Sequence, residues 1–173
     1  SLINDLNNRI TEICLLPDEH TLFGIDQNTL SMIDIRRPDQ FVSLGINTQF
    51  TKLSTNGRYL AAVSTDSQLY SFELPLFPSL SKSLFSYSNP FISRPSFCND
   101  NIVIGNDTGL IFILDPTSDQ FEFIQAPLET PIISIASSEA EISISFEDDI
   151  YVFSMFPFED NLIRPFEDES DDD

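Results

Sequence analysis

The 173-residue chain reads as an all-β protein built from about four similar antiparallel units. Three observations carry this reading. Val, Ile, Phe, Tyr, Ser and Thr fill short runs bounded by Asn, Asp, Gly and Pro clusters, the texture of half-buried strands separated by tight turns. Eleven prolines are spread along the chain and leave little room for long helices. The same order of elements, an apolar strand, a turn carrying Asp and a second apolar strand, recurs four times at a nearly constant interval.

The recurrence is visible residue by residue. Tyr59–Ser64 is an apolar run, Asp66-Ser67 a turn, and Gln68–Leu74 a second run. Asn101–Gly105, Asn106–Gly109 and Leu110–Asp115 repeat that order, as do Leu22–Asp26 with Leu30–Arg37, and Ile142–Phe146 with Ile150–Phe153. The turn residues Asp26, Asp66, Asp107 and Asp148 lie 40 or 41 residues apart. A period of roughly 40 residues in an all-β pattern is the mark of propeller blades, each a four-stranded antiparallel sheet. The expected strands are 10–16, 20–26, 29–36 and 40–45; then 48–54, 58–64, 68–74 and 84–87. They continue as 91–98, 101–106, 110–115 and 120–125, and end with 131–136, 141–146 and 150–155. Alternation such as Ile133-Ser134-Ile135 and Ile142-Ser143-Ile144 turns one apolar face inward. Leu2, Ile3 and Leu6 could share one face of a short helical turn at the start.

These units resemble WD40 repeats, whose third strand usually closes with Trp-Asp. The corresponding pairs here are Ile33-Asp34, Phe72-Glu73, Leu114-Asp115 and, most degraded, Phe153-Ser154. The Asp between the middle two strands is retained in all four copies, whereas the Gly-His pair is absent and the chain has no Trp. The resemblance covers residues 10–155. It implies WD40-like blades over residues 1–155, followed by an acidic, aromatic-containing tail over 156–173. Rings of this kind usually hold about seven blades of roughly 40 residues. The chain starts on Ser rather than Met, and the expectation is that it forms the C-terminal half of a larger propeller. A closed four-bladed ring and a different β-repeat stay open beside it.

Charge narrows the function. The chain has eight Lys plus Arg against 28 Asp plus Glu, a formal net charge of -20. The tail from Glu159 contributes -7 and the remainder -13, so the body is acidic in its own right. Such a field repels nucleic-acid phosphates and anionic membranes and attracts basic proteins over a Debye length of about 8–10 Å. No run approaches the ~18 apolar residues of a membrane helix, and SLINDLNNRI lacks the order of a signal peptide. Cys14 and Cys98 are too few for a disulfide framework and sit in apolar strand contexts, as buried free thiols of a reducing compartment.

No catalytic, cofactor or metal site emerges. His20 is the sole histidine, there is no CxxC pair, no G-x-S-x-G elbow, and with five glycines no phosphate-binding loop. Asp26, Asp66, Asp107 and Asp148 are read as structural, holding turn amides. Arg36-Arg37 is either a solvated pair neutralising Asp34 and Asp39 or a partner contact. In the tail, Phe158 and Phe166 alternate with carboxylates, and Phe166-Glu167-Asp168-Glu169 resembles the anchors with which histone chaperones grip histones. Ser170 lies among acidic residues, as an acidophilic kinase site does. The expected function is a non-catalytic scaffold within a larger assembly, nuclear or cytoplasmic with the nucleus favoured. Its partners would be other protein subunits and a basic protein such as a histone or ribosomal protein, with no direct nucleic-acid or membrane contact. The alternative is an architectural half-propeller that completes a ring with a second chain.

Overall fold

The computed structural model describes residues 10–26, 29–37, 41–43, 48–74, 82–86, 89–118, 120–154 and 164–165. Sixteen strands form four sheets of four, each a simple meander. Sheet 1 holds β1 (Ile10–Leu15), β2 (Thr21–Asp26), β3 (Thr29–Asp34) and β4 (Phe41–Ser43). Sheet 2 holds β5 (Phe50–Thr55), β6 (Tyr59–Ser64), β7 (Gln68–Glu73) and β8 (Lys82–Ser86). Sheet 3 holds β9 (Ser96–Cys98), β10 (Asn101–Gly105), β11 (Leu110–Leu114) and β12 (Phe121–Gln125). Sheet 4 holds β13 (Ser134–Ser137), β14 (Glu141–Ser145), β15 (Ile150–Ser154) and β16 (Arg164–Pro165). Every neighbouring pair is antiparallel.

Two differences from the sequence expectation have plain causes. The expected strand at 91–98 is pared to Ser96–Cys98, leaving Phe91 as an isolated bridge to Asn106. Pro90 and Pro95 cannot donate to a ladder, and Pro131 shortens β13 in the same way. The fourth sheet also gains an outer strand, because the backbone of Arg164–Pro165 pairs with Tyr151 and Val152 from within the segment read as tail.

Side chains alternate across each strand, so every sheet has one face toward the preceding sheet and one toward the following sheet. Three cores fill the gaps. Phe23, Ile25 and Leu30 of sheet 1 meet Phe50, Leu53, Leu60 and Phe72 of sheet 2. Ala61, Val63 and Leu69 of sheet 2 meet Ile102, Ile104, Phe112 and Leu114 of sheet 3. Val103, Ile111 and Ile113 of sheet 3 meet Ile135, Ile142, Ile144 and Phe146 of sheet 4. Phe50 is fully buried and packs edge-on to Tyr70 and Phe72 at ring-centroid distances of 5.4 and 6.3 Å. Among the described residues no core joins sheet 4 to sheet 1, so the sheets form an open arc rather than a closed four-membered ring.

The turns between second and third strands are held mainly by the last residue of the second strand or the residue just after it. Asn106, fully buried, accepts from the Thr108 and Leu110 amides at 3.0 and 2.8 Å and from the Thr108 hydroxyl. Ser64 takes the equivalent place in sheet 2, its hydroxyl accepting from the Gln68 amide at 3.0 Å. Gly109 follows at φ +79°, where any Cβ would overlap the Leu128 carbonyl oxygen.

Three stability outcomes follow, each read from denaturant midpoints at unchanged slope. Phe50→Ala lowers stability by about 3–5 kcal/mol through the cavity left between sheets 1 and 2. Asn106→Ala costs about 1–3 kcal/mol by orphaning buried amides. Gly109→Ala costs at least ~2 kcal/mol, from the left-handed backbone together with the overlap.

Candidate functional site: two faces of the arc

The antiparallel meanders place alternate turns on opposite sides of the arc. On one side lie the turns between first and second strands, in register from sheet to sheet. Gly57 abuts Pro17, where a Cβ would stand 2.7 Å from the proline ring. Asn56 donates to the Asn99 carbonyl at 3.2 Å, Arg58 pairs with Asp100 at 2.6 Å, and the Cys98 thiol points to the Glu139 carbonyl. This side also carries His20, Arg36 and Arg37, so with Arg58 three of the chain's eight Lys and Arg residues stand here. Arg36 grips the Asp34 carboxylate through Nε and Nη2 at 2.9 and 2.8 Å, and the Arg36 amide adds a third bond. That grip holds the Asp34 carboxyl down at about 2, first through the side-chain hydrogen bonds of Arg36 and then through its backbone. The Arg37 amide donates to the Asp34 carbonyl, and Asp39 lies outside the described residues.

The opposite side carries the turns between second and third strands and the connections between sheets, joined by Asp107 N to Pro90 O at 3.2 Å and Ile132 N to Asn106 O at 3.0 Å. All four turn aspartates are here, but at three different positions. Asp26 ends its strand, where Ser64, Asn106 and Phe146 stand in the other sheets; Asp107 is one residue further on, and Asp66 and Asp148 two. Their surroundings differ accordingly. Asp66 accepts from the Ser64 hydroxyl and from Gln68 Nε2, Asp148 is exposed, and one carboxylate oxygen each of Asp26 and Asp107 is buried without a hydrogen-bond partner. The amide-holding role expected of Asp107 belongs instead to Asn106, one residue earlier.

Both sides are acidic: Asp18, Glu19, Glu73, Asp100, Glu139 and Glu141 are exposed on the first side, and Asp66, Glu129, Glu147, Asp148 and Asp149 on this one. Between the β12–β13 connection and the β14–β15 turn lies a cavity of about 330 Å³. Leu128, Pro131, Ile133 and Phe146 form its apolar wall, and Glu147, Asp148 and Asp149 its rim. Toward the inner strands, Glu12 on β1 pairs with Arg94 ahead of β9, and Lys52 on β5 donates to the Phe91 carbonyl at 3.4 Å. Cys14 sits behind this cluster, its thiol pushed up to about 12 by burial, against the pull of Arg94. Burial also raises Cys98, and both thiols are free. A thiol so protonated is a poor nucleophile. Among the described residues no three His, Cys, Asp or Glu side chains converge as metal ligands, and no helix is long and apolar enough to cross a membrane. The tail residues Phe158, Phe166, Glu167, Asp168 and Glu169 lie outside the described residues.

No protein-family model matches the sequence, and no curated protein sequence matches it. Solved structures do. The Cps50 (Swd1) β-propeller domain of Myceliophteria thermophila superposes with a TM-score of 0.68 at 13% identity, over 90% of this chain and 57% of that one. Two computationally designed proteins give TM-scores of 0.69: Ika8 at 14% identity and Ika4 at 13%, each over 84% of this chain. The match takes in 45% of the Ika8 chain but 90% of the Ika4 chain, so the same four-sheet arc is about half of one solved chain and nearly all of another. This chain thus spans only a little over half of the natural propeller domain it resembles. With its meander sheets stacked face to face around a common set of inner strands, it has the fold of four blades of a β-propeller, a partial ring.

Proposed function

We propose that the chain is a non-catalytic protein-interaction scaffold, a subunit of a larger assembly in the nucleus or cytoplasm with the nucleus favoured, and that it takes a basic protein as client. The observation that carries this reading is the apolar cavity beside the β14–β15 turn, rimmed by exposed carboxylates. An apolar floor with an anionic rim suits a Lys- or Arg-bearing segment, whose aliphatic stem covers hydrophobic wall while its charged end stays at the rim. The tail extends the same chemistry, with Phe166 as an apolar anchor among Glu167, Asp168 and Glu169. Histones and ribosomal proteins are clients of this class. Arg36, already held by Asp34, and Arg37 stand on the far side, where they would serve a different subunit contact.

A second reading has its own observation. The outer faces of sheets 1 and 4 are uncovered by any described core, as expected of an architectural half-propeller completed by further blades.

A core histone dimer titrated into the purified chain tests the first reading. Binding at low salt, weakening steeply as salt rises, is expected. Replacing Glu147, Asp148 and Asp149 with Gln, Asn and Asn weakens it by about tenfold, at roughly 0.5 kcal/mol per rim charge. Phe166→Ala weakens it independently. Binding that ignores both salt and these substitutions refutes the reading.

A further inference from the structure

We infer that a second copy of this chain closes the ring, the fourth sheet of each copy packing on the first sheet of the other. The inference rests on the half-propeller reading and adds to it the identity of the occupant. Each end of the arc presents one sheet face that no core of the described residues covers, and the two are unlike. On sheet 1 the register places Ile13, Leu15, Leu22 and Ile33 on this face, with Gly24 and Ser31 between them; Gly24, Ser31 and Ile33 are buried and Leu22 half-buried, so the open part of the face is the inner strand. Ile13 and Leu15 are 55% and 51% exposed, although each lies on the innermost strand, where the other sheets bury their apolar side chains. On sheet 4 the free face carries Ser134, Ala136, Ser143 and Ser145, with Ile150 and Val152.

The internal junctions show what such faces do. The following face of sheet 2 is also made of small residues, with Ser54, Ala61 and Ser71 beside Val63 and Leu69, and it seats the bulkier Ile102, Ile104 and Phe112 of sheet 3. Sheet 4 offers nearly the same set of sizes: Ala136 at the place of Ser54, Ser143 at that of Ala61, Ile150 at that of Leu69. Ile150, 60% exposed, stands opposite the small pair Gly24 and Ser31, where the other sheets put Tyr70, Phe112 or Tyr151. Where sheet 3 meets sheet 4, the Ser96 and Ser137 hydroxyls touch at 2.8 Å. Their equivalents across the closing junction are Ala136 of one copy and Leu15 of the other.

A two-fold pairing uses both ends of both copies and leaves no face over. Four strands about 4.8 Å apart and some six residues long make a face of about 400 Å², so two junctions bury about 1,600 Å², the size of a standard stable interface. The charged positions on these faces lie at their margins, Asp26 on sheet 1 and Glu141 on sheet 4, with Arg164 in register with Val152 on the outer strand of sheet 4. The four-sheet arc makes up 45% of the Ika8 chain, as one of two equal halves would, against 57% of the natural propeller domain.

Light scattering on the full chain at low and high salt tests this. Two copies, at twice the 19.6 kDa chain mass, are expected, and salt strengthens the pairing because it screens the repulsion between two acidic bodies. Leu15→Lys and Ala136→Glu, both at exposed positions, each give a monomer with unchanged far-ultraviolet circular dichroism, and the two together in one chain restore the pair. A wild-type monomer at the highest soluble concentration, or a dimer that survives both single substitutions, overturns the inference. A monomer that still binds histones at low salt leaves the scaffold reading standing. A monomer that pairs in equal amounts with a different chain leaves the half-propeller reading standing.

Discussion

A sheet with two apolar faces needs two neighbours, and everything else in this molecule depends on that requirement. Ala61, Ala62, Val63 and Leu60 on β6 are all buried, which is possible only because sheet 1 lies on one side and sheet 3 on the other. The same holds for Ile102 to Ile104 on β10. Where a neighbour is absent the composition changes: β13 to β15 turn serine outward, and β1 turns outward two aliphatic side chains. Stability is therefore distributed over junctions between sheets rather than gathered into one centre, and each junction is held by about ten side chains of moderate size.

Much of the architecture was legible in the sequence because hydrophobic alternation and turn chemistry act locally. The runs at Tyr59–Ser64 and Leu110–Leu114 declare themselves through their apolar content and the Gly or Asp that closes them. The interval of about 40 residues was legible for the same reason, as each blade repeats one local pattern. Two things were not. The strand before β10 loses half its expected length because proline removes ladder donors, a cost that the β-branched texture around it conceals. The last outer strand falls in a stretch with no strand signature, and its backbone pairing with β15 is a tertiary event.

The turn residues show how an even spacing misleads. Asp26, Asp66, Asp107 and Asp148 are nearly equidistant, yet they occupy three different positions relative to the strand that precedes them, because the turns differ in length by a residue or two. The position that matters is filled by Ser64 in one sheet and Asn106 in another, two side chains that share only a short oxygen acceptor. Sequence periodicity locates the turn; hydrogen-bond geometry alone says which residue holds it. The carboxylate rim of the cavity was equally invisible, since the apolar wall it borders is drawn from Leu128 to Phe146 and is brought beside Glu147, Asp148 and Asp149 only by the course of the meander.

The ion pair between Glu12 and Arg94 joins sheet 1 to sheet 3 and passes over sheet 2, with Lys52 standing between. In geometric terms it is a chord across two steps of an arc. The length of a chord fixes the radius of the circle it subtends once the step is fixed, and here the step is fixed by the thickness of the packed side chains. A contact between two side chains near the axis thereby spans the bend that the packed cores set, and its reach is matched to how sharply the blades fan out at the rim.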